Sequence, residues 1–152
     1  MTPAVYLTQA AQAQAFRIAA GDTNYFVILH DKAVPGFEHV CVVEIFEPGG
    51  KTPPNSHKAA FEFFYVLEGE GRATCGEASV ALTRGSAMLL PPGGLHVIEN
   101  TGPGKLYTLT VMTPDEAFSD LIRAGIPVDL AADDIALLSG PLLSGPILSG
   151  NA

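Results

Sequence analysis

Gly49-Gly50-Lys51-Thr52-Pro53-Pro54-Asn55-Ser56-His57-Lys58-Ala59-Ala60-Phe61-Glu62-Phe63-Phe64-Tyr65-Val66-Leu67-Glu68-Gly69 brings an amide, an imidazole and a carboxylate together just ahead of a strand-forming run. Asn55 and His57 are two apart, so on extended backbone both side chains leave the same face. Glu62 follows His57 at an odd offset, and Lys58-Ala59-Ala60-Phe61 must turn or bulge for both to reach one point. From Glu62 onward, aromatic and β-branched residues closed by Gly69 read as a buried strand. Further along, Gly85-Ser86-Ala87-Met88-Leu89-Leu90-Pro91-Pro92-Gly93-Gly94-Leu95-His96-Val97-Ile98-Glu99-Asn100 delivers His96 from a separate strand. The Pro91-Pro92-Gly93-Gly94 turn sets the direction in which that strand enters.

His57, Glu62 and His96 form the donor set of a 2-His-1-carboxylate facial triad, which suits non-haem iron and leaves coordination positions open. Open positions point to chemistry rather than to structural bracing. Asn55 offers an amide oxygen, a weaker donor than imidazole, and serves either as a fourth ligand or as a partner of metal-bound water. The opposing reading is a decayed site without metal. Against it stands Glu62, whose buried carboxylate would be costly to keep without a counter-charge. The expectation is one divalent ion per chain, Fe2+ first, with Mn2+, Ni2+ and Zn2+ as the other choices.

These two segments resemble the paired motifs of the cupin superfamily, in the single-domain (monocupin), cupin_2-like form of the conserved barrel. The first family motif reads Gly, five residues, His, one, His, three or four, Glu, six, Gly; the second reads Gly, five, Pro, one, Gly, two, His, three, Asn. Each spacer is matched here, and Asn55 stands where the family's first His is usual. The resemblance runs from Gly49 to Asn100 and implies an all-β fold, a double-stranded β-helix or jelly-roll barrel. Around the Gly21-Asp22-Thr23 turn the chain is also similar, weakly, to the quercetin-dioxygenase-like branch. Cupins host dioxygenases, decarboxylases, isomerases, lyases and binding proteins, so the resemblance implies a fold and a site but no single reaction.

The 152-residue chain is long enough for one core, and its 47% hydrophobic content contains no run that approaches the roughly 18 residues of a membrane span. A net charge of −8 argues against nucleic acid, whose phosphates require a basic surface. The N-terminus lacks the basic and apolar regions of a secretory signal, giving a cytoplasmic expectation. Cys41 and Cys75 then stay reduced as small core residues. Lys51 and Lys58 bracket the first motif, either as scattered surface charges or as a pull on an anionic substrate. No Gly-x-Ser-x-Gly elbow, phosphate-binding glycine loop or Cys-x-x-Cys pair is present.

Outside the motifs, Ala10 to Ala15 reads as a short helix or irregular arm, and strands are expected at Asn24–Leu29, Glu38–Phe46, Phe63–Leu67, Gly71–Cys75, Ala78–Leu82, Ala87–Leu90, His96–Asn100 and Leu106–Met112. Short strands separated by Gly/Pro turns describe a sandwich or barrel. Thr113-Pro114-Asp115-Glu116 reads as a capping box opening a helix near 114–124 that covers the barrel's exterior. Residues 1–135 are taken as the barrel domain, and 136–152 as an apolar Leu/Ser/Gly/Pro repeat tail of period five that either docks on the barrel or a partner or stays loose. A homodimer is expected, since jelly-roll edges and the tail both need covering.

Phe64, Val66, Leu90 and Ile98 are placed to wall an apolar substrate pocket. His39 and Glu44 lie on opposite faces of their strand, so at most one of them reaches the cavity. His30 reads as a surface-loop histidine. Glu62 and Glu44 are the candidate proton carriers. The reading leans to a dioxygenase-like oxidoreductase acting on a small organic molecule; the alternatives are a redox-neutral lyase, isomerase or decarboxylase with a Lewis-acid metal, and a non-catalytic small-molecule binder.

Overall fold

The computed structural model describes residues 4–140. A single 3-10 turn at Ala10–Gln12 leads into β1 (Ala15–Arg17), β2 (Asn24–His30), β3 (Val40–Phe46), β4 (Phe61–Glu68), β5 (Gly71–Cys75), β6 (Ala78–Leu82), β7 (Ala87–Leu90), β8 (His96–Asn100) and β9 (Leu106–Thr113). Helix α1 (Phe118–Arg123), the two-residue β10 (Ile126–Pro127) and helix α2 (Ala132–Ser139) close the chain. One sheet has the order β10-β1-β2-β3-β9-β4-β7 and the other β6-β5-β8, and the pairings are antiparallel. This is the all-β double-stranded β-helix, with two short helices rather than one.

The period of two explains which side chains face inward. Along β4, Glu62, Phe64 and Val66 are buried while Phe61 and Tyr65 are exposed. On β9, Leu106, Thr108, Thr110 and Met112 are buried on the corresponding parity. Pairing carries the pattern sideways, with Glu62 opposite Met112 and Met112 opposite Val40. Phe46, Phe64, Val66, Ala73, Leu82, Leu90, Ile98 and Leu106 form one packed cluster from both sheets. Each such large side chain withdrawn from water contributes about 1.5–3 kcal/mol before conformational entropy is subtracted.

Strand β3 is buried on both faces because the large sheet is covered outside as well as inside. Tyr25, Val27, Val43, Ile45 and Tyr107 meet Val128, Leu130, Leu137 and Leu138 from the C-terminal segment. Buried Asp134 pins α2 there: it accepts hydrogen bonds from the hydroxyls of Tyr25 and Tyr107, both at 2.8 Å, and pairs with Lys105 Nζ at 2.9 Å. The first Leu-Leu-Ser of the period-five repeat thus lies within α2, across the boundary drawn at 135. The rest of the repeat falls outside the described residues.

The expected capping box does not form. Glu116 and Ala117 hold φ values of 49° and 63°, in the left-handed region, which delays the helix until Phe118. Asp115, not Thr113, receives the Ser119 N–H, at 2.8 Å. Glu116 is drawn elsewhere: its carboxylate accepts the backbone N–H groups of Lys58 and Ala60, at 3.2 and 3.1 Å, and that of Ala59. α1 also lies over the cavity mouth rather than on the exterior, with Phe118 against Phe26 edge-on at 5.5 Å.

Candidate metal centre

The two motifs are tied together by backbone before any side chain is considered. Asn55 and His96 exchange both hydrogen bonds of an isolated antiparallel bridge, at 3.1 and 2.9 Å. Gly93, at φ +83°, donates its N–H to the His57 carbonyl at 2.7 Å. A side chain at that φ would be strained, which accounts for glycine in the motif. Asn100 closes the other end: its amide donates to the carbonyls of Phe46, Glu47 and Gly104, and its Oδ1 accepts from Gly102 N–H.

With the chain bent at Lys58-Ala59, as the odd offset requires, His57 and Glu62 converge. Glu62 Oε2 lies 3.2 Å from His57 Nε2 and 2.9 Å from His96 Nε2. The three donor atoms all fall within 4.8 Å of one another. The ligands come from both sheets and a loop: Glu62 from β4, His96 from β8, and His57 from the segment between β3 and β4. Glu62 and His96 are buried and His57 half-buried.

His96 shows its tautomer through its neighbours. Nδ1 sits 2.9 Å from the Gly94 carbonyl, an acceptor only, so Nδ1 carries the proton and donates. That leaves a lone pair on Nε2, oriented as a metal ligand is by its outer-shell hydrogen bond. Although Nε2 is close to Glu62, the two are not aligned for a hydrogen bond, and Nε2 has no protein partner. Asn55 Oδ1 is likewise buried without a partner, while its Nδ2 donates to the Pro53 carbonyl at 3.3 Å. Two buried lone-pair donors without hydrogen-bond partners, one on a ligand residue and one on the residue at the motif's variant position, fit a cation.

Charge balance agrees. Burial alone would raise the Glu62 pKa, but the hydrogen bond with His57 and the His96 imidazole close beside it outweigh burial and hold it below the usual carboxylate range. For His96, burial lowers the pKa, and the adjacent Glu62 carboxylate and the Gly94 carbonyl reverse this to a net rise. The Glu62 carboxylate thus favours a positive charge beside it, and a divalent ion would take the place of the proton that otherwise supplies it.

The cluster opens into a cavity of about 640 Å³ lined by Phe26, Phe64, Ile98, Met112, Phe118 and Leu121 on its apolar side and by Asn24, Glu44 and Asn55 among its polar groups. Phe118 approaches the His57 ring to 6.3 Å. Of the expected pocket residues, Phe64 and Ile98 line this space; Val66 and Leu90 belong to the packed cluster beyond it. His39 lies ahead of β3 and off the cavity, edge-on to Phe37 at 5.2 Å. Glu44 is the one of that pair that faces the site. His30 ends β2, half-buried, instead of sitting in a loop. Lys58 borders the cavity, whereas Lys51 does not; Cys41 and Cys75 are free thiols, both half-buried.

Asn24, Phe26, Met112, Phe118 and Glu116 were not read from the sequence. Asn24 and Phe26 share the inward parity of β2, so the polar group opening an apolar strand was the available signal. Phe118 and Glu116 carried no such signal, because their placement depends on two left-handed residues that local propensity does not foretell.

Glu44 is buried, and Asn24 Nδ2 donates to its Oε1 at 2.7 Å. Burial first, and the negative charge of Glu62 second, push its pKa up to about 8, against the lowering effect of Asn24 and Thr110 hydrogen bonds. Burial thus favours the protonated form of this carboxyl.

Residues 42–112 match the family model described as Cupin domain. A protein of Methanocaldococcus jannaschii described as uncharacterized is 29% identical over 93 residues, 61% of this chain and 74% of its own length. Among solved structures, a predicted oxalate decarboxylase from Thermotoga maritima superposes with a TM-score of 0.62 at 22% identity, over 71% of this chain and 97% of that one. An RmlC-like cupin from Shewanella frigidimarina gives 0.61 at 19% identity, over 75% and 95%. At these identities the structural likeness concerns the fold. Residues 42–112 thus carry a cupin domain, one conserved barrel among the described residues.

Proposed function

We propose that this cupin is a metal-dependent enzyme that moves a proton on a small, largely apolar organic molecule, in a redox-neutral lyase, isomerase or decarboxylase reaction. The observation that carries the reading is the presence, in one cavity, of the His57/Glu62/His96 cluster and a buried carboxyl, Glu44, whose pKa burial pushes up. A divalent ion held by those three residues, with Asn55 as the optional fourth, supplies Lewis-acid polarisation of a carbonyl or carboxylate. Glu62 offers the negative charge that holds the ion. His96 is kept in its ligand tautomer by Gly94. Phe26, Phe64, Phe118 and Leu121 keep water from the bound molecule and raise the effect of each charge in the site. Glu44 holds a proton at its carboxyl and delivers it where negative charge develops on the substrate.

The second reading is a dioxygenase-like oxidoreductase with Fe2+ as the favoured ion, supported by the facial donor set with its open positions. Mn2+, Ni2+ and Zn2+ suit the first reading. A non-catalytic binder is the third. The proposal keeps the cytoplasmic setting and a homodimer, for which edge strand β7 carries exposed Leu89 next to exposed Phe61 and Tyr65 of β4.

The test is incubation of metal-loaded protein in D2O with a panel of small oxo and hydroxy acids, read by proton NMR and an oxygen electrode. Deuterium entering next to a carbonyl, or decarboxylated product, lost in Glu44→Gln at unchanged metal content, is the expected result. Oxygen uptake without exchange would replace it with the second reading. Binding without either would leave the third.

A further inference from the structure

The cavity has a second polar pole, on strands other than those that carry the metal cluster. Asn24 opens β2 and Glu44 lies on its neighbour β3, three and two percent exposed respectively. The Asn24 amide N–H is spent on Glu44 Oε1. Its Oδ1 is buried in a cavity-lining residue and has no hydrogen-bond partner. The same cavity is lined by apolar Ile18, Phe26, Phe64, Ile98 and Met112 and by polar Asp22 and Thr52, with no cation among the cavity residues of β2 and β3. Thr110 and Thr108, hydrogen-bonded to each other at 2.9 Å, back the pair from β9. A lone acceptor at the base of an apolar wall is satisfied by a ligand that brings a donor hydrogen there.

The geometry points to Asn24 as a specificity residue that, with Glu44, reads a neutral hydroxyl group on the substrate. The hydroxyl hydrogen goes to Asn24 Oδ1, and its oxygen faces the Glu44 carboxyl. A group that arrives already ionised is disfavoured at this pole, because the Asn24 oxygen repels it and no cation on β2 or β3 offsets the charge. The substrate class follows: a small alcohol or phenol with an apolar body and a separate oxygen function for the metal. This inference rests on the proposed function for the role of the metal end, but the hydroxyl subsite is tested by a comparison of two probes that does not require the metal.

The probes are phenol and its methyl ether anisole, which share an apolar body and differ in the donor hydrogen. Their affinities for the protein as purified are measured by ligand-observed proton NMR titration, which reads the wild type and the variants alike. Phenol is expected to bind about tenfold tighter than anisole, the effect of one hydrogen bond made or left unmade. Asn24→Leu is expected to erase the difference, and Asn24→Ala serves if the leucine variant does not fold. Equal affinities in the wild type, a preference that survives both substitutions, or no phenol binding at tens of millimolar would each overturn the inference. Metal content measured in parallel separates the two readings: a protein that prefers phenol but takes up no metal keeps the subsite and loses the proposed function.

Discussion

Asn55 and Glu44 show how far single residues decide the site. Asn55 occupies the position of an imidazole ligand in the family motif and presents a buried, unpartnered Oδ1. Replacing that weak donor by imidazole should tighten the site, so Asn55→His is expected to lower the Kd for Ni2+ or Zn2+ by at least about tenfold in a competition titration. For Glu44 the prediction concerns pH. Its folded pKa is pushed up to about 8, while the unfolded chain has an ordinary carboxylate, so the unfolded state releases the proton first. Stability is therefore lost as pH rises from the ordinary carboxylate range toward that value. Glu44→Gln removes this dependence, and its urea midpoint should gain on the wild type between pH 6 and pH 9. The inward face of Glu44 was one of two alternatives in the sequence, since strand parity set it against His39 without choosing between them. The cavity makes the choice: Glu44 lines it and His39 does not.

At the scale of elements, the strands were legible because each alternates or stays apolar between Gly/Pro turns. β5, β6, β7 and β8 begin and end where the sequence places them. The short β1 and β10 were not legible: two or three residues have no period, and they exist by pairing with each other and, for β1, with β2. Helix α1 was misplaced for a tertiary reason, since Glu116 leaves the helix to bind three backbone N–H groups of the loop between His57 and Glu62. That contact straps the metal-binding loop to the segment that carries Phe118 over the cavity. Glu116→Ala should therefore weaken metal affinity by about 10- to 100-fold, as loss of outer-shell support does, with a smaller loss for Glu116→Gln. Calorimetric titration with Ni2+ checks this, and unchanged affinity in the alanine variant would make the strap purely structural.

In the whole molecule, the barrel interior is divided between a packed apolar end and an open end that holds the site, while a C-terminal cover seals the outer face of the large sheet. Both motif ends were visible in the sequence because glycine, proline and ligand spacings are local. The cover was not, since α2 depends on Asp134 finding Tyr25, Tyr107 and Lys105 from distant strands. Burial opposes ionisation of Asp134, but Lys105 and the two tyrosines outweigh it and hold the pKa low. Its stabilising effect is present above the unfolded carboxylate pKa and is lost as pH falls below about 4. Asp134→Ala leaves Lys105 and two hydroxyls without their shared acceptor and should cost about 3 kcal/mol at pH 7 in urea unfolding, with the gap narrowing at pH 3.

The central claim is that His57, Glu62 and His96 hold one divalent ion despite Asn55. Elemental analysis of protein purified without chelator, beside a His57→Ala/His96→Ala variant prepared identically, tests it most directly. Near-stoichiometric metal in the wild type that is lost in the folded variant is the predicted result. No metal in either protein, even after reconstitution with Fe2+, Mn2+, Ni2+ or Zn2+, would contradict it.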